Sequence, residues 1–168
     1  MRRTLTHLGA DGAARMVDVS GKPVTVRTAS ARGLVRLGPR AYAALDASEN
    51  AKGDALAVAR IAGIQTAKRT SEWIPLCHPV PLDAISVSLT RVPEEHAVEI
   101  VSEVRGVART GYEMEALTAV SAAALALYDM CKSADKGIRI EAIELVSKTG
   151  GKSGDWRKGK PVRGPRPR

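Results

Sequence analysis

Residues 109–136 constrain this chain more than any other stretch, because they form its longest run with one clean period. Thr110 followed three residues later by Glu113 reads as a capping box at a helix start. Leu117, Val120, Ala124, Leu127 and Cys131 then recur at helical spacing and build an apolar face of mostly modest side chains. Gly137 reads as the stop, just past Lys132 and Lys136, cations that suit a helix C-terminus. Beside the apolar face runs a second line of Glu115, Thr118, Ala122, Leu125, Asp129 and Lys132, spaced alternately three and four. Asp129 and Lys132 are therefore neighbours on one surface. Glu115 shares their azimuth but lies about 21 Å away along the axis, at about 1.5 Å per residue. If both ends do chemistry, either the substrate is long or the site takes its two ends from different subunits.

A chain of 168 residues is long enough to bury one sizeable core. It contains no Phe, so Ala, Val, Ile and Leu must fill that core. The formal charge of +8 invites a nucleic-acid reading, but six of the 26 basic residues fall within residues 157–168, which hold no acid. The rest of the chain is nearly balanced. The expected organisation is a partly flexible N-terminal segment over residues 1–22, one catalytic domain over residues 23–156, and a basic disordered tail over residues 157–168. Cys77 and Cys131 do not make a disulfide scaffold. No apolar run follows Met1-Arg2-Arg3, and no stretch reads as a membrane span, so a cytoplasmic protein with neither membrane nor nucleic-acid partners is expected.

Strand character appears at residues 24–27 and again at residues 34–37. Residues 41–45 read as a short helix. Asp54 caps a longer one reaching about Thr70, with Gly63 in its interior, where glycine is about 1 kcal/mol worse than alanine and so points to a close packing contact. Pro75, Pro79 and Pro81 hold the segment around Leu76-Cys77-His78 extended. Residues 83–91 and 98–107 form a hairpin turned by Pro93-Glu94-Glu95-His96. Residues 138–147 supply the last strand, bulged at Ala142-Ile143. Strand, helix, strand, strand, helix, strand is the α+β, ferredoxin-like (split βαβ) arrangement, an antiparallel sheet with two main helices on one face.

Taken by spacing alone, Asp129 and Lys132 are most simply a surface ion pair, which is common and contributes little. The sharper reading is an acid–base pair in which the lysine keeps Asp129 ionised. Cys77 and His78 sit between prolines, but no second Cys or His pair at ligand spacing completes a zinc site. A buried cysteine is more often inert packing than a nucleophile, and a histidine on so stiff a loop suits proton donation or hydrogen bonding. Lys52, Lys68 and Lys148 are each ordinary surface lysines alone; together they would suit a polyphosphate. Gly151-Lys152-Ser153 is not a P-loop, because Val146 stands where the motif needs glycine.

In order along the chain, Lys52-Gly53-Asp54, Ala59-Arg60-Ile61-Ala62-Gly63-Ile64-Gln65, Ile74-Pro75-Leu76-Cys77-His78-Pro79, Glu113-Met114-Glu115-Ala116-Leu117-Thr118, Tyr128-Asp129-Met130-Cys131-Lys132 and Lys148-Thr149-Gly150-Gly151-Lys152-Ser153-Gly154-Asp155 closely resemble the MoaC family of molybdenum cofactor biosynthesis. The resemblance runs from about Leu5 to Trp156. It implies conversion of 3′,8-cyclised dihydro-GTP, made by a radical S-adenosylmethionine GTP cyclase, to cyclic pyranopterin monophosphate with release of pyrophosphate. It implies no required cofactor, although Mg²⁺ could accompany the pyrophosphate, and a homohexamer, a trimer of dimers, with sites between subunits. By matching position it makes Asp129, Lys132, Lys52 and His78 catalytic. Leu76, Cys77, His78, Met114, Glu115, Lys68 and Lys148 become substrate-binding. Two rival readings are an RNA-binding ferredoxin-like module, which would need aromatic residues on its strands, and a hydrolase with Cys77 as nucleophile.

Overall fold

The computed structural model describes residues 7, 11–46 and 53–159. Five strands form one antiparallel sheet: β1 (Thr25–Arg36), β2 (Ala84–Val92), β3 (Ala97–Ala108), β4 (Arg139–Thr149) and β5 (Trp156–Arg157), in the order β2-β3-β1-β4-β5. The helices are α1 (Gly38–Ala43), α2 (Ala55–Ala67), α3 (Thr70–Trp73) and α4 (Glu113–Cys131). Strand β3 lies between the parallel pair β1 and β2, and β1 lies between the parallel pair β3 and β4. Each crossover helix thus spans a gap of one strand, which is the split β-α-β arrangement. Helices α2 and α4 pack on one face of the sheet and on each other.

β1 is one strand of twelve residues where the sequence suggested two short ones. Its middle alternates Ala29, Ala31 and Gly33 inward with Thr28, Ser30 and Arg32 outward. Alanine and glycine are weak strand formers, so the alternation is hard to see. Ladders on both sides, to β3 and to β4, hold it nonetheless. The small side chains admit α4: a Cβ on Gly33 would stand 2.8 Å from Val120 Cγ1. The expected bulge is present, with Ala142 at φ 52° and the register slipping between Arg32 and Leu34. A second slip falls between Ser30 and Ala31.

Asp54 caps α2 as expected, its Oδ1 accepting from Leu56 N and Ala57 N, each at 3.0 Å. Ala55, Ala59, Gly63 and Ala67 make a buried stripe four residues apart, laid against Ala119 and Ala123 of α4. Helix α4 departs from expectation at both ends. Its N-cap is Tyr112, with no side-chain cap, so Thr110 and Glu113 make no capping box. The reason is tertiary: the Tyr112 ring is wholly buried, the helix starts only at Glu113, and the Glu113 carboxylate folds back over Gly111. At the other end the C-cap is Lys132, not a residue beside Gly137. Asp135 Oδ1 accepts from Gly137 N at 2.7 Å, so residues 135–137 form their own turn.

By length and composition α4 could cross a membrane, yet 61% of that window is buried inside the fold. It is the core helix of an α+β domain. The basic run read as a tail begins inside the sheet: Arg157 pairs with Ser147, and Lys158 N donates to Val146 O at 2.9 Å. Lys158 Nζ also meets the Glu144 carboxylate, which Arg32 shares at 2.8 Å. Trp156, half-exposed on β5, is the one aromatic side chain on these strands.

The α2–α4 contact yields a test whose sign opposes helix propensity. A Cβ on Gly63 would lie 2.8 Å from Ala119 O and 3.3 Å from Ala123 Cβ. Gly63→Ala gains about 1 kcal/mol of propensity but overpacks a helix crossing, at about 1–3 kcal/mol. Thermal unfolding should show a lower Tm; a higher one would mean the helices part without strain.

Candidate active site

The Leu76-Cys77-His78 segment follows α3 and precedes β2. It is shaped by a tight turn, Cys77 N donating to Ile74 O at 3.0 Å, and by Pro79 and Pro81, which remove donors and fix φ. A cavity of about 640 Å³ opens beside it. Leu76, Cys77 and His78 line one wall and Met114, Thr110 and Gly111 another, with His7, Val17, Val19 and Lys22 contributing from the N-terminal segment. Four of the expected substrate-binding residues, Leu76, Cys77, His78 and Met114, therefore share one wall system.

Glu115 lies behind that wall. It is 2% exposed, its Oε1 accepts from Cys77 Sγ at 3.7 Å, and its Oε2 has no hydrogen-bond partner among the described residues. Burial, foremost, raises the carboxyl's pKa, with the Glu113 charge adding to it and the Cys77 hydrogen bond opposing it. The thiol is pushed up to about 11, by burial first and then by the Glu115 charge. Cys77 is thus held as a neutral thiol, the opposite of what a nucleophilic cysteine needs.

Lys148 stands next to the cavity rather than in it, its Nζ 3.3 Å from Glu113 Oε1 and donating to Ser153 Oγ at 2.7 Å. Its partner Glu113 opens α4 one residue before Met114. Lys68, just past α2, lines a separate cavity of about 490 Å³ with residues 80–85. Lys52 lies outside the described residues. Asp129 and Lys132 pair at 2.5 Å near the far end of α4, both about half exposed, and the hydrogen bond to Asp129 is the main cause of a raised Lys132 pKa. About 21 Å of helix separates Asp129 from Glu115, so a single protomer does not bring the two groups together. The line they were drawn on is also split: Glu115, Thr118 and Ala122 are buried, whereas Leu125 is exposed. Thr70 covers the upper half through a 2.7 Å Thr70–Thr118 hydroxyl contact.

Three nearby residues were not anticipated. Arg27 is buried, donating from Nε to Ala108 O at 3.1 Å and from Nη2 to Arg109 O at 3.0 Å, which fixes the backbone leading into Thr110. Its signal was a charge on the inward-facing side of a strand. Lys22 and Tyr112 carried no such signal. Among the described residues no cluster of three His, Cys, Asp or Glu side chains is placed to hold a metal ion.

A split β-α-β sheet with a cavity at the start of its core helix is the architecture of an α+β, ferredoxin-like domain with room for a small molecule. The sequence profile described as the MoaC family matches residues 16–151. The chain is 53% identical over 154 residues to a protein of Thermomicrobium roseum, covering 92% of this chain and 93% of that one, and that protein is named cyclic pyranopterin monophosphate synthase. A Chloroflexus aurantiacus protein of the same name is 55% identical, over 92% and 94%. Cyclic pyranopterin monophosphate synthase 1 of Mycobacterium bovis is 54% identical, over 92% and 90%. The chain belongs to the MoaC family.

The Cys77–Glu115 contact has a measurable signature. With its thiol pushed up to about 11, Cys77 should react with iodoacetamide at pH 8 about a hundredfold more slowly than an ordinary cysteine. Glu115→Gln removes the neighbouring charge and should speed the reaction. A carboxyl whose pKa rises on folding adds stability below its unfolded pKa and loses it as pH climbs through the folded value. Glu115→Gln should therefore gain Tm, relative to wild type, more at pH 8 than at pH 4. A gain at pH 4 alone would contradict the assignment.

Proposed function

We propose that this protein catalyses the cyclic pyranopterin monophosphate synthase reaction of molybdenum cofactor biosynthesis. It takes (8S)-3′,8-cyclo-7,8-dihydroguanosine 5′-triphosphate, rearranges the ring system, closes a cyclic phosphate and releases pyrophosphate. The observation that carries this reading is identity of 53–55% over nine-tenths of the chain to proteins bearing that name. A cavity lined by the residues the family motif selects supports it.

The chemistry asks for proton transfers at the ring and for positive charge on a polyphosphate leaving group. Asp129 and Lys132 hold and move protons at the reacting ring, with His78 a further donor. Lys52, Lys68 and Lys148 stabilise phosphate charge. Leu76, Cys77, Met114 and Glu115 seat the substrate. As the cyclic phosphate closes, a sugar oxygen bonds to the α-phosphorus and the bond from that phosphorus to pyrophosphate breaks. Mg²⁺ would supply further positive charge to the pyrophosphate leaving group, with no ligand from this chain required.

The working unit in this proposal is a cytoplasmic homohexamer, a trimer of dimers. The catalytic domain takes in residues 23–156, completed by β5 with Lys158 and by the N-terminal residues that line the cavity. A radical S-adenosylmethionine cyclase acting on GTP supplies the substrate. The separation of Asp129 from Glu115 within a protomer supports sites shared between subunits, because a small substrate does not span it.

The direct assay supplies the cyclised triphosphate and follows pyrophosphate together with the pterin product. Wild type should make both, and Asp129→Asn should be slower by about 10²- to 10⁴-fold. Pyrophosphate without pterin would sink the ring rearrangement. Unchanged turnover by a folded Asp129→Asn protein would remove that residue from the chemistry.

Shared sites make a second expectation. Asp129→Asn and His78→Ala subunits, each inactive alone, should regain activity when mixed, to about a quarter of the wild-type rate for statistically mixed two-fold dimers. Verified mixed oligomers with no regained activity would place each site within one subunit.

A further inference from the structure

The two walls of the cavity come from segments far apart in sequence, and two side-chain hydrogen bonds among the described residues tie them together. One is the long, weak Cys77–Glu115 contact at 3.7 Å. The other is Tyr112, whose hydroxyl donates to Pro81 O at 2.8 Å. Tyr112 is the N-cap of α4, immediately before Glu113, Met114 and Glu115. Pro81 ends the stiff stretch that begins with Leu76-Cys77-His78. Pro79 and Pro81 have no N–H to offer, so this end of the stretch can be held through a carbonyl such as that of Pro81.

The surrounding structure is cut to fit this reach. The Tyr112 ring is wholly buried, and it crosses β3 at Gly106, where a Cβ would stand 2.2 Å from the phenol oxygen and 2.9 Å from Pro81 O. Ala84, opposite Arg105, starts β2, and Asp83 N donates to Arg105 O at 3.0 Å. The loop is therefore pinned at its β2 end by backbone and in its middle by the phenol. Burial, and then the Asp83 charge, raise the phenol's pKa, which keeps it a proton-bearing donor.

We propose that Tyr112 is a positioning residue, tethering the Cys77-His78 loop to the first turn of α4 and so setting the width of the substrate cavity. The catalytic pair Asp129 and Lys132 lies at the other end of the helix, out of its reach. The consequence for substrate rests on the proposed function; the consequence for the loop does not.

Tyr112→Phe removes the hydroxyl and keeps the ring. A tether predicts two changes of about threefold to tenfold, the range of one lost hydrogen bond. Iodoacetamide modification of Cys77 at pH 8 should accelerate, while the buried Cys131 stays unmodified. KM for the cyclised triphosphate should rise, with kcat within about twofold of wild type. Gly106→Ala, which keeps the hydroxyl but displaces it, should reproduce both effects.

Unchanged Cys77 reactivity in a folded Tyr112→Phe protein would overturn the proposal. So would Cys131 reacting in step with Cys77, which is general loosening, or kcat falling at constant KM. Faster Cys77 modification in a protein that does not turn over the triphosphate at all, wild type included, would leave the tether standing and sink the reading of the substrate.

Discussion

The close approach of α4 to its neighbours is the constraint on which the rest of the structure depends. With no phenylalanine in the chain, the core gains its density from small residues that let backbones nearly touch. Gly33 of β1 lies under Val120, and Gly63 of α2 lies on the Ala119 carbonyl. Interiors pack at crystal-like density, so such contacts tolerate little added volume. They fix the depth and rotation of α4. That rotation buries Glu115 and leaves Leu125 and the Asp129–Lys132 pair at the surface.

From this placement the electrostatics of the cavity follow. Glu115 sits in the first turn of α4, where the helix dipole favours a negative charge, yet burial works against its ionisation. The nearby thiol of Cys77 is raised by the same burial and by the carboxylate beside it. The result is a wall that presents a proton-bearing sulfur, backed by a buried carboxyl, which suits hydrogen bonding rather than nucleophilic attack. Cationic groups stand at the edges: Lys22 at the rim, and Lys148 beside Glu113.

Much of the fold was legible because its signals are local. The Asp54 cap, the hairpin around residues 93–96, the slipped alternation at Ala142 and the glycine inside α2 each announce themselves within a few residues, and each is found. The long β1 was not legible, since Ala29, Ala31 and Gly33 are chosen for the helix above them and not for strand propensity. The capping box failed for a related reason: a buried tyrosine one residue before the helix outweighs a Thr-Glu cap worth about 1 kcal/mol. In the cavity, the Cys77-His78 segment and Met114 were visible as motif residues. Arg27 and Tyr112 were not visible as site residues, because both act on backbone carbonyls contributed by distant segments.

The sequence by itself determined the element order, the identity of the core helix and the residues that carry the family's motifs, because periodicity, capping chemistry and motif spacing are properties of contiguous chain. Tertiary structure alone decided which of those residues meet. It placed a buried Glu115 against the half-buried Cys77, and it set Lys68 in a different cavity from His78. It also kept Asp129 a helix-length away from the pocket. Proximity between distant segments depends on how closely the helices approach the sheet, and that is settled by side-chain volume across the whole core.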